Sequence, residues 1–288
     1  MGSGSSSFLK KRTKKLLLVS TRTVVTAAST KIIKVFWFFF SKRNCFLLLL
    51  LAVSPASASG VVSLNLCTDQ LLVLLAPQQV TALEPLARDP ALSVVADAAA
   101  RLPSVRADAE AVLRLHPDLV LAGRYGAQAT VALLKARGVQ VLQVDEPEDF
   151  VHIAALVTQL SDALGVAGRG RALNAEMWRK LAAIRNQNGT AVLWQAGGWT
   201  AGPGGLGDAV LREAGLTDVG TGGRIGLEKL LAYKPALLVT ETAPRFPSMA
   251  TDLARHPALA GIPRRDLPAR LLICGGPFTA DAVALLAR

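Results

Sequence analysis

Glu110-Ala-Val-Leu-Arg-Leu-His-Pro117-Asp-Leu-Val120 returns 118 residues later as Glu228-Lys-Leu-Leu-Ala-Tyr-Lys-Pro235-Ala-Leu-Leu238. Each copy opens on an acid and has apolar residues two and three positions on. A proline follows at seven, then an apolar run with strand character. An acid in the first turn of a helix is favoured by the macrodipole, and a proline beyond the last turn stops it. The pattern is therefore short helix, stop, strand. Two ordinary αβ units could match by coincidence; as a repeat, they divide the chain into two α/β halves.

Working outward, the same alternation continues on both sides. Residues 61–65, 80–84, 119–123 and 139–145 are strand-like, and 69–76 and 127–137 read as helices. Residues 148–187 differ. They form a long helical stretch, with a break expected near 165–170 and Leu173, Met177, Leu181 and Ile184 at helical spacing. Strand signals resume at 190–195, 236–241 and 270–274, with helices at 206–214 and 227–233 between them. Strands alternating with helices argue for parallel sheets covered by helices. The expected divisions are an N-terminal extension and signal peptide over 1–58, an α/β lobe over 59–168, a connecting helix over 169–187 and a second α/β lobe over 188–288. The closing helix is short, which suggests a truncated C-terminus.

The net charge of +11 would suit a nucleic-acid or membrane partner if it were spread over the chain. It is not. Residues 1–58 hold ten Lys or Arg and no acid, leaving 22 basic against 21 acidic residues in the rest. The near-neutral body gives no reason to expect nucleic acid. The leader has Lys42 and Arg43, an apolar run from 46 to 53, and then Ser54-Pro-Ala-Ser-Ala58. This order is that of a secretory signal cut after Ala58. Residues 1–41 read as an upstream start or an added segment, or, joined to 42–53, as an uncleaved anchor. Lys34, Lys42 and Arg43 argue against a span, at about 2.5–3.5 kcal/mol per charge. Cys45 precedes the apolar run, so no lipidation signal is expected. Beyond the leader only Cys67 and Cys274 remain. In an exported protein the pair permits one disulfide and does not establish it.

No catalytic constellation stands out. His116 and His256 each precede a proline, and His152 has no His or Cys at a ligand spacing, so a zinc-type site is not expected. The glycine-rich 197–205 loop lacks a phosphate-loop lysine and does not fit the dinucleotide fingerprint. An exported transferase-like enzyme using that loop, with Asp208 as base, is the alternative reading. Ligands of open α/β sheets bind beyond the carboxyl ends of the strands. Those ends carry Asn65, Cys67 and Thr68, then Arg124 and Tyr125, then Trp199 and Thr200, then Cys274, Gly275 and Phe278. Aromatics, small residues and an arginine suit a shallow pocket for a large, partly apolar ligand.

Val61-Val-Ser-Leu-Asn-Leu-Cys-Thr-Asp69, the two repeat copies and the closing Cys274-Gly-Gly-Pro277 together resemble the periplasmic binding proteins for iron–siderophores and vitamin B12. The resemblance implies two Rossmann-like lobes with parallel sheets, joined by a single long helix and closing on a metal chelate. It implies a monomeric substrate-binding component of an ABC importer, with no cofactor of its own and no catalysis. Its cargo would be a ferric siderophore, cobalamin or haem, and its partners a permease dimer and its ATPase subunits. Glu110 and Glu228 match the glutamates that the family presents to permease arginines. The tryptophans that line the B12 pocket have no clear counterparts here. Tyr125, Trp199 and Arg224 lie nearby, and Arg124 with Arg224 would suit an anionic ferric chelate.

Overall fold

Apolar runs and helical periods resolve into one sheet in each half of the chain. The computed structural model describes residues 60–185, 187–242 and 253–288; the leader, its expected cleavage point and Cys45 lie outside them. In lobe 1, β1 (Val61–Ser63), β2 (Val80–Ala82), β3 (Leu119–Gly123) and β4 (Val141–Val144) form a sheet of order β2-β1-β3-β4. All its pairings are parallel. Parallel neighbours need crossovers. Here these run through α1 (Leu66–Leu75), then the short α2 (Ala96–Ala99) and α3 (Ala109–Leu113), then α4 (Gln128–Ala136).

Lobe 2 is built on β5 (Thr190–Trp194), β9 (Leu237–Glu241) and β10 (Arg264–Leu267), which pair in parallel as β10-β9-β5. Three two-residue strands extend it. β7 (Thr217–Asp218) is parallel to β5, while β6 (Trp199–Thr200) and β8 (Gly223–Arg224) add an antiparallel edge. The second sheet is thus mixed. Its helices are α7 (Leu206–Glu213), α8 (Leu227–Tyr233) and the closing α9 (Thr279–Leu286).

One expected strand is corrected. Residues 270–274 are not extended; Ala269–Leu271 is a 3-10 turn and Leu271 and Leu272 point into the core. The strand lies earlier, at Arg264–Leu267, on the sheet edge. Its sequence, Arg-Arg-Asp-Leu, has no apolar alternation because only Leu267 is buried. An edge strand needs little apolar surface, whereas a buried turn needs a great deal.

Between the lobes run α5 (Phe150–Ala163) and α6 (Ala167–Ala182). The break falls at residues 164–166, not at the glycines that follow. Gly170 lies inside α6, where a Cβ would come within 2.2 Å of Ser161 Oγ, so its role is close helix packing. Lys180 of α6 reaches Asp281 of α9 at 2.9 Å.

Strand alternation divides the core. Val61, Leu119, Leu121, Leu193 and Val239 face a cluster shared with α1, α5, α6 and α9, which runs without interruption from lobe 1 into lobe 2. Val62 and Val120 face a separate cluster with α3 and α4. Val192, Trp194 and Leu238 do the same with α8. Each fully buried Leu or Val is worth about 1.5–3 kcal/mol. Each sheet therefore has one face on the common core and one under its own outer helices.

The internal repeat is deeper than its sequence. His116 (φ 47°) and Lys234 (φ 48°) both adopt the left-handed conformation immediately before the proline. Each ends its helix: His116 N–H donates to Leu113 O at 3.1 Å and Lys234 N–H to Leu231 O at 3.2 Å. The chain then turns into β3 or β9, and each of these strands lies between parallel neighbours.

Candidate functional site

In lobe 1 the expected site residues lie in the loop and first helical turn that follow β1 and in the loop that follows β3. In lobe 2 Trp199 and Thr200 form β6, Arg224 lies in β8, and Cys274, Gly275 and Phe278 lie in the turns before α9. In the loop after β1, Asn65 Oδ1 accepts the N–H groups of Cys67 and Thr68 at 2.9 and 3.3 Å, which caps α1. Thr68 is buried; its hydroxyl donates to Asn65 O and meets Ser63 Oγ at 2.8 Å. Below them Asp69 is fully buried and accepts Glu84 N–H at 3.2 Å. Burial pushes its carboxyl well above the usual carboxylate range, against the lowering effect of the Ser63 hydroxyl.

Cys67 and Cys274 are bonded as a disulfide, with their Cα atoms 5.1 Å apart at a sequence separation of 207. Closing so long a loop is worth about 5 kcal/mol in the chain-entropy account. Neither sulfur is then free to act as a thiolate donor. Gly275 sits where a Cβ would fall 2.3 Å from Pro147 Cγ, and Phe278 is buried as the cap of α9. The disulfide thus joins the turn that holds Asn65, Cys67 and Thr68 to the one that holds Cys274, Gly275 and Phe278.

The rims are different. After β3, Tyr125 is 71% exposed, and Arg124 makes a bidentate pair with Asp145 at the end of β4. That carboxylate holds the guanidinium more firmly protonated. Both side chains of the pair are exposed, so it orients the arginine without adding much stability. In lobe 2, Trp199 is 55% exposed and lies opposite Arg224 across the β6–β8 pairing. Arg224 Nε donates to Gly197 O at 2.8 Å. Thr200 is buried and donates to Gly223 O. Each lobe therefore offers an exposed aromatic ring next to an anchored guanidinium.

Trp194, the last residue of β5, is among the largest fully buried side chains, because its face of the sheet is the one covered by α8. Three acids and a histidine that the sequence did not assign to the site stand around one cavity. Asp145, Glu146, Glu148 and His152 line a cavity of about 550 Å³ with Pro147, Ala155, Leu156 and Gln159. The Asp145-Glu-Pro-Glu-Asp149 run was the available signal.

The 197–205 loop is occupied by structural work. Gly197, Gly198 and Gly204 have positive φ, and Asp208 accepts Gly204 N–H at 3.0 Å while pairing with Arg212 at 3.2 Å. Among the described residues no three His, Cys, Asp or Glu side chains gather as a metal site. His152 pairs with Asp149, and His256 Nδ1 accepts Ala258 N–H. Glu110 and Glu228 are exposed, each the second residue of its helix, on α3 and α8.

Residues 61–263 match the family model described as periplasmic binding protein. Curated protein sequences give no significant match. Among solved structures the chain is similar to a periplasmic heme-binding protein from Pseudomonas aeruginosa, with 26% identity and a TM-score of 0.64 over 80% of this chain and 91% of that one. It is similar to a periplasmic heme-binding protein from Roseiflexus sp. RS-1, at 22% and 0.66 over 80% and 97%. A periplasmic vitamin B12-binding protein of Vibrio cholerae matches at 18% and 0.59 over 80% and 96%. The family and these neighbours are binding proteins of transport, not enzymes.

Proposed function

This chain belongs to the periplasmic binding protein family, and from that premise we propose that it captures an anionic metal chelate between its lobes and delivers it to an inner-membrane permease. The role as the substrate-binding component of an ABC importer in the periplasm follows from the family. The cargo is the further step, and one observation carries it: an exposed ring beside an anchored arginine on each lobe, Tyr125 with Arg124 and Trp199 with Arg224. Rings give a flat apolar ligand two faces to lie against; Arg224 would bind a carboxylate or catecholate at its edge directly, and Arg124 would do so by leaving Asp145. Haem and ferric siderophores have that chemistry. Cobalamin, with its larger neutral periphery, uses it less well.

Docking would fall to Glu110 and Glu228. Each stands exposed in the first turn of a helix on the outer side of its sheet. Two separated charges fix the register of approach and raise the on-rate more than they add affinity. The chain is read as exported, with its leader removed after Ala58, and as working as a monomer.

Tryptophan fluorescence tests the cargo. Haem, cobalamin and a set of ferric siderophores are titrated separately, with inner-filter correction. Saturable quenching at micromolar or lower concentration by an anionic chelate, lost with Trp199→Ala and weakened with Arg224→Ala, is the expected result. No saturable response to any of them would refute the metal-chelate assignment and leave the family intact.

A further inference from the structure

The chain passes between the lobes twice. The first passage is α5 and α6. The second is near the other end, where residues 268–278 leave β10, run against lobe 1 and turn into α9, which packs on α6 and α7. Three separate contacts hold this second passage on lobe 1. Cys274 is bonded to Cys67 in the first turn of α1. Gly275 presses on Pro147 in the β4–α5 loop so closely that a Cβ would not fit. Arg270 Nη1 donates to Pro90 O at 3.1 Å. None of the three is needed to build either sheet.

We propose that the Cys67–Cys274 bond is an inter-lobe clamp that sets the resting opening of the cleft. A body attached at one place can swing in many directions. One attached at two separated places turns only about the line between them. With the bond intact, lobe 2 is held by α6 and by residue 274, and its motion reduces to a single opening mode. The covalent attachment falls two residues from Asn65, whose side chain caps α1 at the cleft floor. The clamp therefore fixes the floor of the site against both lobes. Reduction by a dithiol takes up two electrons and two protons, breaks the S–S bond and leaves two thiols. The second passage is then kept on lobe 1 by the apolar packing of Leu271, Leu272 and Phe278, the glycine contact and one hydrogen bond, none of them covalent. Cys67 is partly exposed, so a reductant can reach the bond, while Cys274 is buried.

The test needs no ligand, so its outcome is separate from that of the chelate assignment. Hydrogen–deuterium exchange is followed in the oxidised protein, in the protein reduced under native conditions, and in the Cys67→Ser/Cys274→Ser double variant. Amides of 66–70 and 274–279 should exchange about ten-fold faster or more without the bond, and by a clearly larger factor than those of β3 and β9, which report only the loss of global stability. Small-angle scattering on the same samples should show a wider distribution of lobe separations. Equal acceleration in β3 and β9 would show a general stabiliser, not a clamp. Unchanged exchange at 66–70 and 274–279, or two free thiols in the untreated protein, would also overturn the proposal. Reduced wild-type protein keeps the test decisive if the double variant folds poorly.

Discussion

Lobe 1 and lobe 2 present the same kind of rim by different means. In lobe 1 the loops are short and side chains hold them: Asn65 caps α1, Asp108 caps α3, and Asp145 fixes Arg124. In lobe 2 the rim rides on a glycine scaffold. A Cβ on Gly198 would come within 2.6 Å of Ile225 O, and one on Gly202 within 2.7 Å of Gly222 Cα. Backbone touches backbone there, and only glycine permits it. The contrast teaches that a pseudo-symmetric binding protein need not have pseudo-symmetric rigidity. Lobe 1 is set by replaceable hydrogen bonds, lobe 2 by sterics that tolerate no replacement.

The largest effect should come where the lobes are most alike. Glu110→Arg and Glu228→Arg each reverse a proposed docking charge in the first turn of matching helices. Each should slow uptake by about ten-fold or more, and the pair should abolish it, with ligand binding by the purified protein unchanged. Unequal single effects would show that the permease reads one lobe first. Unchanged uptake in the pair would remove the docking role.

Next come the glycines. Gly198→Ala combines positive φ with a backbone clash and should destabilise the protein by about 2–4 kcal/mol in urea unfolding. Gly126→Ala in lobe 1 has positive φ but nothing within 4 Å of the new Cβ, and should cost about 1 kcal/mol. Similar losses at the two positions would end the distinction between the lobes.

The smallest effect concerns acid. Burial, with a contribution from nearby Asp208, lifts Asp218 to about 6, against the lowering effect of Gly220 N–H. In the unfolded chain the group titrates near 3.8. The unfolded state therefore releases this proton at lower pH, and the stability it supports is complete below about 3.8 and lost as pH rises toward 6. Asp218→Asn keeps an acceptor for Gly220 N–H and removes the titration. The melting temperature of wild type relative to this variant should fall between pH 4 and pH 6.5 and level off above. A constant difference across that range would deny the shift. The group is about half buried, so solvent screening keeps the effect modest.

Much of the fold was legible because two copies of one αβ unit stand 118 residues apart and because apolar strands alternate with helical periods. β10 was not, since an edge strand of Arg-Arg-Asp-Leu carries no periodic signal. The left-handed joints at His116 and Lys234 leave no mark either, as neither residue type announces positive φ. In the site, Arg124 and Tyr125 could be named from the end of β3, whereas the antiparallel edge that carries Trp199 and Arg224 was not foreseen. Depth could not be read either. Trp194 and Trp199 are five residues apart, yet one is buried and the other exposed, which depends on the face covered by α8. The disulfide stayed open for the same reason: proximity across 207 residues is a property of packing, not of sequence.

The apolar cluster that runs from Val61 through Met177 to Leu286 joins both sheets without a seam. Two lobes that shared only a linker would melt separately. With a continuous interior they rise and fall as one cooperative unit. A ligand bound at either rim would therefore protect the whole interior, because whatever favours the native state favours all of it. Limited proteolysis should therefore cut the protein more slowly with its cargo present than without it.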